Sequence, residues 1–149
     1  MRRIFQAFLI GSLFIGGPAG YCQTSPKPLV TEPLPLISLK RIVSPVYPKL
    51  ARIAHDSRQV TAKLVVRENK LAVVEMKGGN KYFDHSILTA ISNWLLSPQR
   101  PMPSGEFTVV FDFRLSEEAT DEGRSEVDFD TSTIVVWGRM LYVDPTPMH

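Results

Sequence analysis

The chain has one cysteine, Cys22, and three histidines among its 149 residues. A lone cysteine forms no internal disulfide, and metal sites bring several cysteine, histidine or carboxylate ligands together. His55 and His149 have no second ligand at such a spacing. We therefore expect no disulfide, no metal site and no cofactor, so the stability of the fold has to come from packing.

The apolar run at the N-terminus is too short for an ordinary membrane-spanning helix. Residues 4–17 form a run of 14 residues, whereas a span takes about 20 apolar residues. Met1-Arg2-Arg3 stands before this run, and the small residues 17–20 follow it. A basic start, an apolar stretch and small residues together predict a secretory signal.

We predict that the signal peptide is residues 1–22 and that the mature chain starts at Gln23. Cleavage there removes the only cysteine, which leaves no thiolate nucleophile. Two alternatives stay open. Residues 4–17 could remain as an inner-membrane anchor, or Cys22 could be acylated, which the bulky Tyr21 before it disfavours. The chain is predicted to be exported to the periplasm or the cell envelope.

Proline and charge divide the mature chain into three parts. Residues 23–43 contain Pro26, Pro28, Pro33 and Pro35. This density of proline favours an extended linker. Residues 40–115 hold 12 Lys and Arg against 6 Asp and Glu, and residues 116–149 hold 2 against 8. A basic domain, residues 44–115, is thus followed by an acidic segment, residues 116–149.

The domain is predicted to begin with a short helix and a hairpin. Pro48 suits a first helical position, where its missing N–H would be unpaired anyway. The apolar face of this helix is Leu50, Ile53 and Ala54. Alternate apolar residues then indicate two half-buried strands joined by a turn at 68–70. Their inward residues are Val60, Ala62, Leu64 and Val66 in the first strand, and Ala72, Val74 and Met76 in the second.

A longer helix and a third strand complete the domain. The apolar face of the helix is Phe83, Ile87, Leu88, Ile91, Trp94 and Leu95, which has helical spacing. The strand has alternate apolar residues from Phe107 to Leu115. The predicted fold class is α+β, a three-stranded antiparallel sheet with two helices packed on one face and a possible fourth C-terminal strand.

The acidic segment has two parts of different composition. Residues 117–130 are too charged to pack and are predicted to form a loop. Residues 131–143 are rich in β-branched and aromatic residues, which favour a strand. We expect Thr133 to Trp137 to add antiparallel to the edge of the strand 107–115. The alternative is a disordered tail.

The order of elements and a few motif residues resemble the C-terminal domain of TonB. In that family a Tyr-Pro pair opens the first helix, and a tryptophan closes the long helix before a proline turn. Here the matching residues are Tyr47, Pro48, Trp94 and Pro98. The resemblance covers about half the chain, residues 44–115. Arg58 departs from it, since the family usually has glycine there, and the proline-rich linker is far shorter than that of a TonB energy transducer.

The resemblance implies a partner-binding module and not an enzyme. In TonB relatives the partner is a short segment of an outer-membrane transporter, which pairs with a sheet edge during energy-coupled transport. The corresponding edge here consists of Phe107, Thr108, Val109, Val110, Phe111, Asp112, Phe113 and Arg114. An edge strand can bind an extended peptide through its unpaired N–H and C=O groups. The alternative is a secreted stand-alone structural or interaction protein that kept the fold without transport coupling.

Other motifs favour structural roles. Asp84, His85 and Ser86 have the residue types of a hydrolytic triad, but consecutive helical residues point about 100° apart and cannot form its relay. No catalytic residue is therefore predicted. The segment Gly78-Gly79-Asn80 lacks the lysine of a phosphate loop and is predicted to be a turn. The basic residues between Lys40 and Arg67 are predicted to form a solvated face and not a nucleic-acid site.

Overall fold

The computed structural model of the protein describes residues 31–119 and 123–143. The predicted signal peptide, the first part of the linker and His149 lie outside them. The elements are β1 (Glu32–Pro33), a 3-10 turn (Leu36–Ser38), β2 (Leu39–Arg41), α1 (Lys49–Ile53), β3 (Arg58–Arg67), β4 (Lys70–Lys77), α2 (Lys81–Ser92), β5 (Leu95–Leu96), β6 (Gly105–Ser116), β7 (Ser125–Asp128) and β8 (Thr133–Arg139).

The predicted three-stranded antiparallel sheet with two helices is wrong. Within the described ranges the chain forms a six-stranded mixed sheet, in the order β4-β3-β6-β8-β7 with β1 also paired to β6, and a two-stranded sheet of β2 and β5. Only two helices are present there, of 5 and 12 residues. The difference arises because the segments on both sides of residues 44–115 contribute β1, β2, β7 and β8, and because Leu95–Leu96, predicted as the end of the long helix, form β5.

The two central strands carry the core as their alternation predicts. Every inward residue predicted for β3 is buried, and Phe107, Val109, Phe111 and Phe113 of β6 are at most 5% exposed. The antiparallel register pairs Val60 with Phe111 and Leu64 with Phe107. Helix α2 covers this face with Phe83, Ile87 and Ile91.

Six predicted inward positions lie at the surface instead: Leu50, Ala54, Ala72, Val74, Leu88 and Leu95. A register shift between Lys63 and Leu64 reverses the alternation of β4, so Val74 is 55% exposed while Val73 packs against the core. In α1, Ala51 is buried and Leu50 is 53% exposed. A helix of only five residues has little apolar periodicity from which its buried face could be predicted. Leu88 of α2 is also exposed.

Helix α2 begins at a strong cap and ends before the predicted tryptophan. The Asn80 side chain accepts hydrogen bonds from the Tyr82 and Phe83 amides at 3.0 and 3.3 Å, which satisfies two otherwise unpaired donors of the first turn. The helix ends at Ser92. Trp94 therefore follows the helix and is buried at 6% exposure.

Residues 31–43, which the sequence assigned to the linker, belong to the folded unit. Leu34 and Leu36 are completely buried. Strand β1 pairs parallel to β6, with Glu32 opposite Phe107. Pro33 is the second residue of β1 and Pro35 immediately precedes the 3-10 turn, two positions that are compatible with the missing donor of proline.

The acidic segment, residues 116–149, which we call the tail, contains the predicted strand. That strand runs parallel to its neighbour and not antiparallel as predicted. Strand β8 pairs parallel to β6, from Val110 opposite Thr133 to Ser116 opposite Arg139. The chain leaves β6, forms β7 one position further out, and returns as β8 between the two strands. Strand β7 runs opposite to β6. The chain reverses again between β7 and β8, which form an antiparallel pair, so β8 runs in the direction of β6.

Candidate functional site

The predicted partner-binding strand lies in the middle of the sheet. Strand β6 pairs with β3 along one edge and with β1 and β8 along the other. Ser132 links the two short partners, because its hydroxyl donates to the Leu34 carbonyl and its carbonyl accepts from the Val110 amide. Strands β1 and β8 of the chain itself thus occupy the edge that the resemblance assigns to a partner peptide.

The outer edges of the described sheet discourage strand addition. Strand β4 has a register shift and lysines at Lys70 and Lys77. Strand β7 is only four residues long and contains Glu126 and Asp128. Irregular, charged and short edge strands are the usual protection against pairing with another chain.

Three of the four family-motif residues fix the segment Val43–Pro48, which we call the strap. Pro48 is the residue before the first turn of α1, and Tyr47 donates its hydroxyl to the Asp56 carbonyl at 2.6 Å. Trp94 Nε1 donates to the Val43 carbonyl at 2.8 Å. The fourth, Pro98, is exposed in the turn after β5. These residues therefore position the strap.

The Tyr47 ring is part of the core. It packs edge-on against Phe83 and Phe113, with centroid distances of 5.8 and 5.4 Å. Burial is the main cause that raises the pKa of Tyr47 above its ordinary value of 10.0, and the charge of Asp56 acts in the same direction. The hydroxyl is therefore neutral at physiological pH and serves as a structural donor.

A groove of about 870 Å³ lies between the strap and one face of α2. We call it the α2 groove. The helix contributes Lys81, Tyr82, His85, Ser86, Thr89, Ala90 and Asn93, and the strap side contributes Val43 to Pro48 with Lys49 and Arg52 of α1. Gly123, Trp137 and Gly138 complete its lining.

The strap runs antiparallel to α2. The Val43 carbonyl accepts from Trp94, and the Val46 carbonyl accepts from the Ser86 hydroxyl at 2.5 Å. This direction brings Lys49 toward the Lys81 end of the helix and Val43 toward the Asn93 end. The groove is therefore charged at one end and neutral at the other.

The walls of the α2 groove combine exposed apolar surface with cations. Val46 is 79% exposed and Tyr82 is 40% exposed. The charged residues of the described lining are Lys49, Arg52 and Lys81, which we call the cationic rim, and none of the described lining residues is an aspartate or glutamate. Apolar walls with a few oriented polar groups are typical of binding sites.

Arg52 has an unusual environment within the rim. Its Nε atom is buried and has no hydrogen-bond partner among the described residues. The Arg52 carbonyl accepts from the Leu141 amide at 3.4 Å, so the tail holds the backbone of α1 at this position. A buried guanidinium nitrogen without an acceptor is costly, and a carboxylate is its best match.

The triad-like residues separate in space. Ser86 donates to the strap, and His85 lines the α2 groove. The Asp84 carboxylate packs against Gly79 on the other side, where a Cβ would lie 1.9 Å from its Oδ1 atom. No relay connects the three side chains. Across residues 31–119 and 123–143, no group of three or more histidine, cysteine or acidic side chains could hold a metal ion.

Sequence analysis did not identify the α2 groove. Its helical wall consists of polar residues that the periodicity places opposite the core, which is also the pattern of an ordinary solvated face. The available signal was the strap itself, because the sequence Ser44-Pro45-Val46-Tyr47-Pro48 has too few free donors to join a sheet.

Comparisons with protein-family models, curated proteins and solved structures found no match to this chain. None of the helices in the described residues has the length and apolar character to cross a membrane.

Proposed function

We propose that this protein is a protein-binding module of the bacterial cell envelope that receives an extended segment of a partner in the α2 groove. The observation that carries the proposal is the groove itself, an open site of about 870 Å³ with exposed apolar walls. The proposal keeps the partner class that the TonB resemblance implies, a short segment of an outer-membrane transporter. The proposed binding surface is the α2 groove and not the edge of β6.

Binding at the edge of β6 would require displacement of β8. Ile134 and Val136 are at most 3% exposed in the core, and exposing a side chain of this size costs about 1.5 to 3 kcal/mol. The loss of the β8 ladder adds to this cost. A peptide in the α2 groove displaces no part of the described chain, so the groove is the better-supported site.

The envelope location is supported by the N-terminal sequence. Arg2 and Arg3 precede the apolar residues 4–17, and small residues follow, which is the order of a secretory signal. The proposal holds whether the segment is cleaved or remains as an inner-membrane anchor, because both would expose the folded part to the periplasm.

Calorimetry with N-terminal segments of outer-membrane transporters tests the proposal. The informative variant is Thr89→Trp, which fills the groove from α2, and its matched control is Leu88→Trp, which places the same side chain on the neighbouring exposed position outside the groove. We expect the wild type and Leu88→Trp to bind, and Thr89→Trp to lose at least about tenfold in affinity.

Two results would count against the proposal. If no transporter segment binds the wild type, the partner class is wrong. If Thr89→Trp and Leu88→Trp bind equally well, with unfolding midpoints near that of the wild type, the partner uses another surface.

A further inference from the structure

We infer that the α2 groove selects an acidic peptide segment, with its carboxylates at the Lys81 end. This inference rests on the proposed function and specifies the chemistry of the partner. Its basis is the cationic rim, where Lys49, Arg52 and Lys81 line one site to which residues 31–119 and 123–143 contribute no acidic lining residue. Grouped like charges without a counter-charge favour a ligand of opposite sign.

Three acidic side chains near the sheet are paired with other cations. Asp56 holds Arg58 at 2.7 Å, Glu106 holds Lys63 at 2.6 Å, and Asp112 holds Arg114 at 2.6 Å. No ion pair in the described part of the chain includes a residue of the cationic rim. The rim is therefore available to carboxylates of a partner.

Arg52 gives the strongest preference for a carboxylate. Its buried Nε lacks an acceptor within residues 31–119 and 123–143. Nε is too buried for a partner to reach, but a carboxylate can accept from the two terminal nitrogens of the same guanidinium together, in a planar two-bond arrangement. Lysine cannot make this arrangement, so a guanidinium at this position adds geometric selectivity to the charge of the rim.

The length of the groove fits a short extended peptide. From Lys81 to Asn93 the helix axis covers about 18 Å, which matches about five or six extended residues. The cations lie at one end, whereas Val43, Thr89 and Asn93 line the other. A fitting segment has acidic residues at one end followed by small or apolar ones.

Fluorescence anisotropy with a matched pair of peptides tests the inference. Both rhodamine-labelled peptides have about eight residues, enough to exceed the groove length. One begins with glutamates followed by valine, threonine and alanine, and the other has glutamine at each glutamate. We expect the glutamate peptide to bind about tenfold more tightly. Its affinity should fall as salt rises, because exposed charges are screened.

Substitutions locate the effect. Arg52→Gln and Lys81→Gln should each weaken binding of the glutamate peptide several-fold, and Arg52→Lys should recover only part of the loss. Lys70→Gln and Lys77→Gln on β4 remove the same charge outside the groove and should leave binding unchanged. Unfolding midpoints of all variants show that the fold is retained.

The outcomes separate this inference from the proposed function. Equal binding of both peptides overturns acid selection while leaving the groove as a peptide site. If neither peptide binds but transporter segments still bind in a manner sensitive to Thr89→Trp, acid selection is also overturned and the proposed function stands. Equally strong binding to phosphatidylglycerol vesicles, lost in Arg52→Gln, would show that the rim contacts a membrane surface and would overturn the inference.

Discussion

At the scale of single residues, Gly138 and Tyr47 form a close contact between the tail and the strap. A Cβ on Gly138 would lie 2.6 Å from two carbon atoms of the Tyr47 ring. The ring cannot easily move, because Phe83 and Phe113 flank it and its hydroxyl is bonded to Asp56. Only a residue without a side chain lets β8 pass this ring.

Gly138→Ala is therefore expected to lower the free energy of unfolding by about 1 to 3 kcal/mol, as overpacking of a filled core does. Urea unfolding measures the change. The control is the same substitution in a Tyr47→Leu background, where the smaller side chain relieves the contact and the added cost should be clearly smaller. Equal costs in the two backgrounds would contradict the proposed contact.

At the scale of elements, alternation predicted the buried faces of β3 and β6 correctly, but it failed for β4 and did not predict which strands are neighbours. Val60 to Val66 and Phe107 to Phe113 showed which side chains point inward, since burial on one face imposes a period of two. The alternation of apolar residues does not indicate which strand lies beside β6. The parallel direction of β8 follows from β7, and Ser125–Asp128 escaped prediction because its charges resemble those of a loop.

Strand β8 should tolerate a hydroxyl on one face only. Val136 is 3% exposed in the core, whereas Val135 lies on the opposite, partly exposed face. Val136→Thr keeps the side-chain volume but buries a hydroxyl, so we expect a loss of about 1 to 3 kcal/mol in the free energy of unfolding.

Val135→Thr is the matched control and should change stability by no more than about 0.5 kcal/mol. Urea midpoints of the two variants provide the comparison. Similar effects at both positions would mean that β8 does not pack as a core strand.

At the scale of the whole molecule, the folded unit begins earlier than the family resemblance suggests. The resemblance starts at residue 44, but Leu34 and Leu36 are completely buried before it. Proline density led the sequence analysis to treat them as linker. Composition averages over a segment and cannot show that two leucines within it reach the core.

A double variant with Leu34→Ala and Leu36→Ala should therefore lose a large part of its free energy of unfolding. Replacing a buried leucine by alanine costs about 2 to 5 kcal/mol, against a typical total of about 5 to 15 kcal/mol for a domain. Ile37→Ala is the control, since Ile37 is 58% exposed and its loss should have little effect. Thermal unfolding of the double variant, the Ile37→Ala control and the wild type would refute the extended boundary if all had the same midpoint.

The α2 groove also belongs to this scale. Its lining comes from the strap, α1, α2 and the tail, which are distant in sequence. No local pattern describes such a site, because each segment alone has an ordinary composition. The motif residues Tyr47 and Trp94 were identified from the sequence, but as positions of a family and not as the supports of a groove.

The arrangement of β1 and β8 along one edge of β6 has a mechanical consequence. Both strands run parallel to β6, with β1 beside its start and β8 beside its end. A pull on the two ends of the described fold acts along the strand axis, in opposite directions on β1 and β8. The hydrogen bonds of each ladder then bear the load together in shear and are not opened one after another. Under such a pull, we expect this fold to resist unfolding more strongly than a fold whose end strands separate one hydrogen bond at a time.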